Sequence, residues 1–519
     1  METFPIFPSW LLTTTLVFFM FYMFLYTLRS KRSSMAATKL PPSPPKLPII
    51  GNLHKLLGKP RHQALWQLSK QYGPIMQFHI GSKPFVVISS PFMAKQIMKT
   101  HDHIFCSRPF STATKRLTYD YLDIAFSPQS DHRREMRKIL MSEFLGPKRG
   151  RLFNQVLVTE VETMVRALAL HPSNVAVNLN TLFLAMVKGV VCKVAFGNNY
   201  RQQPINGPSW EVVVDEAQEM LGGSIGDFFP WVGQFIDQIS GWSRKMENCF
   251  TNLDAYIETV IDDHMNQTVE EVGGDEKDFV HSLLELSCKD NSSGYRLTKE
   301  DIKALIMDVL TGGVDTTVVT LVWTMSEITR NVRVMQKLQT EIRNHIGTKQ
   351  KVDVTDITKM TYLKMVVKET LRIHPPAPLL IPHECMRHCQ VGGYDVFPGT
   401  SALINAWGIA RDPTVWGDNA AEFYPERFEK FEVDFEMVPF GGGRRSCPAM
   451  NTAPTTVEFV IANLVYWFDW EVPNGLKNED LDIQDEGSLI LRKKVPLCLV
   501  PTKYNREESV CCKNEKLVV

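Results

Sequence analysis

The spacing of apolar residues along the chain predicts a mainly helical protein with small β-sheets. Apolar side chains recur at helical intervals from Val156 to about Leu184, and they do so again from Trp210 to His264. Two shorter apolar runs, Ile75 to Ile80 and Phe85 to Ile88, are separated by Gly81-Ser82-Lys83 and therefore predict a β-hairpin. The expected fold class is mainly α.

A long helix is expected from Thr298 to about Thr329. Thr298 is a suitable N-cap, and Asp301 stands three residues later, where an acidic residue completes a capping box. Within this helix the run Gly312-Gly313-Val314-Asp315-Thr316-Thr317 is rich in poor helix formers. Such a conflict with local preference indicates function, because Thr316 can hydrogen-bond a carbonyl one turn back and open the helix. A kinked core helix is the alternative.

The N-terminal segment is expected to be a membrane anchor. Residues 6–28 carry no charged side chain, and at about 1.5 Å per residue a helix of this length spans a hydrocarbon core of about 30 Å. Arg29, Lys31 and Arg32 follow directly, whereas Glu2 is the one charged side chain before the run. The positive-inside rule then places the body of the protein in the cytosol. The alternative is a buried core helix.

The chain is expected to divide into five segments. Residues 1–5 are a short lumenal N-terminus, residues 6–28 the transmembrane anchor, and residues 29–52 a basic and proline-rich hinge. Repeated prolines favour an extended, stiff hinge, which would set how the body lies on the membrane. Residues 53–503 form the catalytic domain, and residues 504–519 form a flexible polar tail.

Composition excludes some functional classes. The chain has 519 residues, 44% of them hydrophobic, and its formal net charge is zero. This size suits one large enzyme domain or two, and the balanced charge gives no indication of nucleic-acid binding. Ten cysteines at irregular spacing in a chain this long are typical of a reducing compartment rather than of a disulfide scaffold.

Candidate chemistry is concentrated in the run PFGGGRRSCPA, from Pro439 to Ala449. Cys447 can supply a thiolate that ligates a metal, and Arg445 can bind a carboxylate of a cofactor. The glycines allow the backbone to approach a flat cofactor closely. The alternative is a glycine-rich turn before a core helix, in which Cys447 is a small buried hydrophobic residue.

This loop resembles the haem-binding loop of the cytochrome P450 superfamily, whose pattern is F-x-x-G-x-R-x-C-x-[GA]. The matching residues are Phe440, Gly443, Arg445, Cys447 and Ala449. The resemblance implies the mainly α cytochrome P450 fold with small β-sheets, behind a single N-terminal transmembrane helix, and haem b as the cofactor. Cys447 would be the axial thiolate ligand of the haem iron, which favours O–O cleavage. Phe440, Gly443 and Arg445 would help to bind the haem.

The glycine–threonine run in the long helix resembles the oxygen-activation motif of the same superfamily, [AG]-G-x-[DE]-T-[ST]. By this resemblance Thr316 orders a water molecule that delivers protons to dioxygen, and Asp315 is its acidic partner. Relatives that rearrange peroxides without using dioxygen often lack this threonine. Its presence therefore favours a true monooxygenase.

A structural ion pair is expected between Glu369 and Arg372. The two residues are three positions apart and therefore share a helix face, although an exposed pair of this kind contributes little to stability. The spacing resembles the E-x-x-R motif of the superfamily, which the arginine of a P-E-R-F segment usually completes. The resemblance therefore implies a structural triad of Glu369, Arg372 and Arg427, which supports the fold and the haem pocket.

Four positions near the expected haem differ from the common pattern of the superfamily, and one of them is Ala449, which replaces the commoner glycine after the cysteine. Arg137 matches an arginine that binds a haem carboxylate, but Arg133 stands where tryptophan is usual, and His383 stands where plant relatives often have arginine. Both are candidate cofactor-binding residues, with a solvated basic helix face as the alternative for Arg133. Pro454 falls early in the helix after the cysteine loop and is expected to distort it. These differences predict weaker haem retention.

The resemblance implies a microsomal monooxygenase of plant specialised metabolism. It would insert one oxygen atom of O2 into a small apolar metabolite, such as a terpenoid, alkaloid or phenolic. No flavin or dinucleotide fingerprint is present, so electrons from NADPH would come through a separate partner, NADPH–cytochrome P450 reductase. The expected location is the endoplasmic reticulum membrane, in contact with lipid. The alternatives are a reductase-independent haem-thiolate isomerase or dehydratase, and a catalytically silent membrane haem protein.

Overall fold

Helices make up most of the structure, as the apolar spacing predicts. The computed structural model describes residues 14–15, 18–23, 38–197, 210–266, 277–288, 296–487 and 489–505. Within these residues the helices, in chain order, are α1 Arg61–Tyr72, α2 Pro91–Lys95, α3 Asp102–Phe105, α4 Thr112–Leu117, α5 Asp131–Glu143, α6 Pro147–Ala169, α7 Leu179–Phe196, α8 Trp210–Leu221, α9 Gly233–Ile239, α10 Trp242–Met265, α11 Phe279–Cys288, α12 Lys299–Gly313, α13 Asp315–Arg330, α14 Val332–Ile346, α15 Val354–Ile357, α16 Thr361–Ile373, α17 Ala406–Ile409, α18 Pro413–Trp416 and α19 Thr452–Trp467.

The strands form small sheets. They are β1 Ile75–Ile80, β2 Lys83–Ile88, β3 Val177–Asn178, β4 His383–Glu384, β5 Cys389–Val391, β6 Tyr394–Val396, β7 Ser401–Ile404, β8 Phe468–Glu471, β9 Asp485–Glu486, β10 Arg492–Lys493 and β11 Cys498–Lys503. One sheet has the order β1-β2-β7-β4, another has the order β3-β11-β8, and β5–β6 and β9–β10 form separate pairs. The predicted hairpin is confirmed, because β1 and β2 pair antiparallel from Ile75 opposite Ile88 to Ile80 opposite Lys83.

The segment predicted to be helical from Val156 to Leu184 is interrupted. Helix α6 ends at Ala169, and a new helix begins at Leu179 after the short strand β3. Pro172 lies in the gap, where it disfavours helical geometry for the residue before it. The side chain of Asn178 then caps α7 by accepting the backbone N–H of Asn180 at 3.0 Å. Apolar spacing alone did not reveal this interruption.

The predicted start of the long helix is confirmed. The Thr298 hydroxyl accepts the Asp301 N–H at 3.1 Å, and the Asp301 carboxylate accepts the Thr298 N–H at 2.9 Å, which is a complete capping box. The helix is broken once, at Val314, which separates α12 from α13. The predicted run of poor helix formers therefore coincides with an observed break.

Helix α13 is the centre of the hydrophobic core. Every residue from Thr317 to Thr329 is buried, and the helix packs against α7, α16 and α19. Leu321 lies in the same buried cluster as Phe183 of α7 and Phe459 of α19. The hydroxyls of Thr320 and Thr324 donate to carbonyls four residues earlier, so they are satisfied within the helix. The buried hydroxyl of Thr329 has no partner among the described residues.

Two stretches of the described chain, Leu179–Phe196 and Lys299–Arg330, are long and apolar enough to cross a membrane. In their most apolar windows 61% and 67% of the residues are buried within the protein, which is typical of core helices. The anchor expected at residues 6–28 lies outside the described residues except for 14–15 and 18–23, which are helical and largely exposed. The expected lumenal N-terminus, the start of the hinge up to residue 37 and the tail beyond residue 505 also lie outside the described residues.

Glu369 and Arg372 form a fully buried ion pair on α16. Arg372 donates from Nε and Nη2 to the two carboxylate oxygens at 2.7 and 2.8 Å, and from Nη1 to the carbonyls of Ala410 and Ala420. Arg427 donates to the same carboxylate at 2.9 Å. Both residues of the pair are 0% exposed. One carboxylate therefore organises two arginines, and these arginines fix the loops that follow α17.

The substitution Arg372→Ala is expected to destabilise the fold by about 3–5 kcal/mol, because it leaves the Glu369 carboxylate buried without its principal partner. The measurement is the free energy of unfolding, or the midpoint of thermal unfolding if unfolding is irreversible. Arg134→Ala is the matched control, since Arg134 and Asp131 are also three residues apart on one helix but are 61% and 88% exposed. Equal losses in the two variants would contradict a structural role specific to the buried pair.

Candidate active site

The Cys447 loop forms a tight turn ahead of α19. Gly441 and Gly443 both have left-handed backbone conformations, with φ of +65° and +64°, and a 3-10 turn runs from Gly443 to Arg445. The Cys447 N–H donates to the carbonyl of Phe440 at 2.8 Å and closes the loop. Glycine adopts such φ angles without steric cost. The two glycines therefore set the backbone path that presents Cys447.

At Gly443, protein packing as well as conformation requires glycine. A Cβ at this position would lie 2.3 Å from the carbonyl oxygen of Met98 and 2.5 Å from Oδ1 of Asp102. The same aspartate accepts the backbone N–H of Arg444 at 3.1 Å. The sequence interpretation attributed the glycines to close approach of a cofactor. At Gly443 the close approach in the structure is to the protein segment that ends at Asp102.

The Cys447 thiol lies in a mostly buried environment. Burial raises its pKa, while the backbone of Ala449 and the guanidinium of Arg137 act in the opposite direction. Arg137 extends from α5 to this loop, where its Nη2 lies 3.4 Å from the hydroxyl of Ser446. Because burial disfavours ionisation of this thiol, a bound cation would favour the thiolate.

Arg445 is buried among backbone carbonyls. It donates from Nε to Cys106 at 2.6 Å, from Nη1 to Ile124 at 3.2 Å and from Nη2 to Ser127 at 2.5 Å. These carbonyls belong to the segment between α3 and α5. A single side chain therefore joins the cysteine loop to that segment.

Arg133 is buried rather than part of a solvated helix face. It is 3% exposed, and it donates from Nε to the carbonyl of Ile124 at 3.1 Å and from Nη2 to that of Arg444 at 3.2 Å. Arg134, the next residue on α5, is exposed. The alternative interpretation of Arg133 as a solvated surface residue is therefore wrong.

Arg108 is a further buried arginine that sequence reasoning missed. It donates from Nε to Ala125 at 3.0 Å and from Nη1 to the carbonyls of Ile381 and Pro382 at 2.6 and 2.8 Å. Its Nη2 makes no hydrogen bond to the described part of the chain. The signal available in the sequence was a single arginine before Pro109, in the otherwise weakly polar run IFCSRPF.

His383 contributes no positive charge to the site. Burial and the neighbouring Arg108 lower its pKa to about 3. Its Nδ1 lies 2.8 Å from the carbonyl of Phe105, which fixes that nitrogen as the donor in the neutral ring. The single donor of neutral His383 is therefore used within the protein, and Arg108 provides the charge beside it.

Arg108, Arg133, Arg137 and Arg445 together form what we name the guanidinium cluster. Burial lowers the pKa of all four, and repulsion from a neighbouring guanidinium adds to this effect for Arg108, Arg133 and Arg445. The pKa falls to about 9 for Arg108 and to about 8 for Arg445. Burial is the largest cause of each shift, and the nearby carboxyls offset it only in part.

Asp123 and Asp308 interact electrostatically with the guanidinium cluster. Burial raises the pKa of Asp123 to about 6, against the effects of the Phe126 N–H and Arg445. Burial and the nearby Asp123 raise the pKa of Asp308 well above its usual range, and its Oδ2 accepts the Ile124 N–H at 2.7 Å. Asp123 is therefore mostly ionised near neutral pH while Asp308 resists ionisation, so the two carboxyls neutralise the four guanidinium groups incompletely.

Threonine hydroxyls bond across the break in the long helix. Val314 separates the two helices, and the hydroxyls of Thr316 and Thr317 donate to the carbonyls of Gly312 and Gly313 at 2.8 and 2.9 Å. Thr316 remains partly exposed, whereas α13 is buried from Thr317 onwards. The expected bond from Thr316 to a carbonyl one turn back is confirmed.

Asp315 is paired with an arginine from the C-terminal sheets. Its carboxylate accepts a bond from Arg492, which also binds Asp215 at 2.8 Å. Burial raises the pKa of Asp315, although Arg492 acts against this. Asp215 is 61% exposed, so the ion-pair chain runs from the surface to the break in the helix. Sequence reasoning identified Asp315 but not Arg492.

Pro454 does not distort the helix that follows the cysteine loop. It lies in the first turn of α19, which is continuous from Thr452 to Trp467. Backbone N–H groups in a first turn have no partner within the helix, so a proline there removes no helical hydrogen bond. The prediction that Pro454 distorts this helix is therefore wrong, and Pro454 gives no reason to expect weaker haem retention.

The site residues expected from the sequence form distinct groups. Arg133, Arg137, Arg445 and His383 are linked around the Cys447 loop by the bonds and electrostatic interactions given above. Glu369, Arg372 and Arg427 form a separate network. Thr316 and Asp315 begin α13.

Comparisons with known proteins agree with this arrangement. The family model described as Cytochrome P450 matches residues 41–499. The chain is 54% identical to parthenolide synthase of Tanacetum parthenium, covering 89% of this chain and 92% of that protein. It is 47% identical to eupatolide synthase of Helianthus annuus, covering 90% and 92%. A zebra fish cytochrome P450 solved with progesterone superposes with a TM-score of 0.73 at 23% identity, over 86% of this chain and 100% of that one.

The fold and the cysteine loop define a haem-dependent oxidoreductase. The chain belongs to the cytochrome P450 family. It is a P450 monooxygenase, an enzyme that incorporates oxygen from O2, and membership of the family implies haem. The mainly helical fold with small sheets, expected from the sequence, is confirmed.

The residues around Cys447 fit a haem group. Haem b carries two carboxylates and an iron that takes an axial thiolate. The guanidinium cluster lacks negative charge, and its Arg108 keeps N–H groups that bond to no described residue. The thiol of Cys447 needs a cation to ionise. Haem would provide both, because its carboxylates carry the negative charge and its iron is the cation.

The substitution Gly443→Ala is expected to abolish stable haem binding, because the new Cβ would clash with the Met98 carbonyl in addition to requiring a strained φ. Gly441→Ala is the matched control. It has the same left-handed φ, but its nearest neighbours would lie 3.9 Å away, so it carries only the strain, about 1 kcal/mol. The measurement is haem content per chain after purification. Equal haem loss in both variants would show that strain, and not the contact with Met98, limits this position.

Proposed function

We propose that this chain is a membrane-bound monooxygenase that inserts one oxygen atom of O2 into a small, mostly apolar, terpenoid-type metabolite. Electrons come from NADPH through a separate reductase. The observation that carries the proposal is the guanidinium cluster, short of negative charge, beside a cysteine whose thiolate needs a cation. This combination supports a haem with its iron on Cys447 and its carboxylates toward the arginines.

The roles of the haem-binding residues follow from their positions. Cys447 would hold the iron through Sγ, and the guanidinium cluster would hold the two haem carboxylates through charge-assisted hydrogen bonds. Phe440 accepts the Cys447 N–H through its carbonyl and so fixes the loop, while Gly443 permits its contact with Met98. Bound haem supplies the reduction of O2 and the oxygen transfer. The protein supplies the ligand, the charge balance and the orientation.

Thr316 and Asp315 are proposed to deliver protons. The Thr316 hydroxyl donates a hydrogen bond to the Gly312 carbonyl, so its oxygen can accept a hydrogen bond from a water molecule and orient it. Asp315 begins the same helix, and its pairing with Arg492 and Asp215 supports a route for protons from the surface. A carboxyl whose pKa is raised toward neutrality is better suited to relay protons.

The substrate is proposed to bind among apolar segments that meet near the break in α12–α13. The Asp308 carboxyl of α12 accepts the Ile124 N–H at 2.7 Å and so joins α12 to the segment after α4. The Leu491 N–H donates to Pro376 at 2.8 Å, which draws the C-terminal segment to the residues after α16. The names of two similar relatives, parthenolide synthase and eupatolide synthase, favour a terpenoid over an alkaloid or phenolic.

An exposed apolar surface supports attachment to the membrane of the endoplasmic reticulum. Trp231, which precedes α9, is 95% exposed. Phe235 and Ile239 of α9 are exposed as well. This region contacts the turn of the first hairpin, because the Ser82 N–H donates to the Phe228 carbonyl at 3.1 Å. Exposed aromatic and aliphatic side chains close together along the chain are typical of contact with lipid. It would complement the proposed anchor at residues 6–28.

The substitution Cys447→Ser tests the ligand. Wild-type protein, reduced and exposed to carbon monoxide, should show the absorption band of a thiolate-ligated haem near 450 nm, from which the family takes its name. The variant should lose that band, because a serine hydroxyl does not replace the thiolate. A variant that kept the band would remove Cys447 from the ligand position.

The substitution Thr316→Ala tests the proton route. With reductase, NADPH and a substrate of the wild-type enzyme, product formed per NADPH consumed should fall at least about threefold, since proton delivery by a positioned group contributes far more than this to rate. NADPH consumption and haem content should persist. Product formation that needs neither NADPH nor O2 would instead favour the reductase-independent isomerase or dehydratase.

The catalytically silent alternative has lost much of its support. It rested on Arg133, His383 and Pro454 as departures that would weaken the site. Arg133 is buried in the guanidinium cluster, Arg108 supplies a charge beside His383, and Pro454 lies where a proline is tolerated. The measured product of the reductase-dependent reaction separates the two interpretations.

A further inference from the structure

Two histidines and an aspartate converge at the junction of α10 and α11, in a part of the chain that the proposed reaction does not use. His264 lies in the last turn of α10, Asp278 precedes α11, and His281 lies in its first turn. One ligand-type atom from each lies within 4.8 Å of the others, and His264 and Asp278 are buried. Imidazole and carboxylate groups in this combination are typical ligands of Zn²⁺.

His264 is oriented so that its Nε2 faces the aspartate. Its Nδ1 lies 2.6 Å from the carbonyl of Val260, and a carbonyl accepts only, so Nδ1 carries a proton there. Its Nε2 lies 3.2 Å from Oδ2 of Asp278. In the neutral ring these two acceptors repel each other unless a proton or a metal ion lies between them. A backbone carbonyl that fixes the far nitrogen is the usual outer partner of a metal-binding histidine.

Asp278 is also fixed in place. Its Oδ1 accepts the backbone N–H of His281 at 2.9 Å and caps α11. Its Oδ2 is left for the two imidazoles, at 3.2 Å from His264 and 2.7 Å from Nδ1 of His281. Arg149 donates to the backbone carbonyl of Asp278 rather than to its carboxylate. The carboxylate therefore keeps its charge for the histidine pair.

His281 completes the group without a competing partner. Its Nδ1 donates to Oδ2 of Asp278 in the metal-free protein, because a carboxylate only accepts. Its Nε2 makes no hydrogen bond within the described residues, so the ring proton can move to Nε2 or leave when a metal binds Nδ1. The two imidazole rings lie with centroids 4.7 Å apart at 62°. Ligand atoms of a tetrahedral zinc site are roughly 3.3 Å apart at Zn–ligand distances of about 2.0–2.1 Å. The His264–Asp278 distance already agrees, and the His281–Asp278 distance must lengthen by about half an ångström.

We propose that His264 Nε2, Asp278 Oδ2 and His281 Nδ1 bind one divalent transition-metal ion, Zn²⁺, with water in the fourth position. The ion would clamp the end of α10 to the start of α11, and its role would be structural. The three ligand side chains are carried by the end of α10 and the start of α11, and two of the three are buried. The site needs no haem, so it stands or fails independently of the proposed function.

The test uses the full-length holoenzyme, purified without a polyhistidine tag and treated with a chelator. Equilibrium dialysis against about 10 µM free Zn²⁺, followed by metal analysis, should give one zinc per chain above the level of His281→Gln. A metal that binds the native state stabilises it by mass action, so the midpoint of thermal unfolding should rise with zinc by about 2 °C or more in the wild type. It should not rise in the variant.

Two further variants guard against folding defects and non-specific binding. Asp278→Asn retains a side chain that can cap α11 but removes the anionic ligand, so it should fold and still lose the zinc. His345→Gln removes an exposed histidine on α14 and should bind zinc like the wild type. Zinc binding that is absent from the wild type, or that is equal in wild type, His281→Gln and Asp278→Asn, would overturn the proposal. In that case the group is a proton-sharing cluster only.

Discussion

The guanidinium cluster is the constraint on which the functional part of this structure depends. Burying guanidinium groups costs free energy unless hydrogen bonds and negative charge compensate. The backbone provides the hydrogen bonds, since Arg445 alone binds three carbonyls. The protein provides only part of the charge, because Asp308 resists ionisation and Asp123, with a pKa of about 6, gives one carboxylate for four guanidinium groups. The folded protein therefore holds a built-in preference for an anionic partner beside Cys447.

The same arginines connect the site to the rest of the fold. Arg445 joins the cysteine loop to the segment between α3 and α5, and Arg108 joins that segment to the carbonyls of Ile381 and Pro382. Asp308 adds a link from α12 to the same segment through Ile124. Loss of the proposed anion is therefore expected to change the conformation of the segments that the substrate is proposed to contact. We therefore expect haem binding and the shape of the proposed substrate pocket to be coupled through these side chains.

Local patterns in the sequence predicted the local structure well. The hairpin at residues 75–88, the capping box at Thr298 and the break at Val314 each depend on residues within a few positions of one another. The family motifs identified Cys447 and Arg445 for a similar reason. Arg108 was not identified from the sequence because its role depends on carbonyls far along the chain. Its own neighbours carry no helical or strand pattern. Pro454 was misjudged because its effect depends on where the helix begins.

The central claim is that the guanidinium cluster retains haem by binding the two haem carboxylates. The most direct measurement is the rate at which haem leaves the protein for an excess of apomyoglobin, compared between the wild type and Arg108→Leu. A hydrogen bond to a charged group contributes about 1.5–3 kcal/mol, so the variant should lose haem roughly 10-fold to 150-fold faster. A variant with the wild-type rate would contradict the claim, because the cluster would then be a structural feature with no bearing on the cofactor.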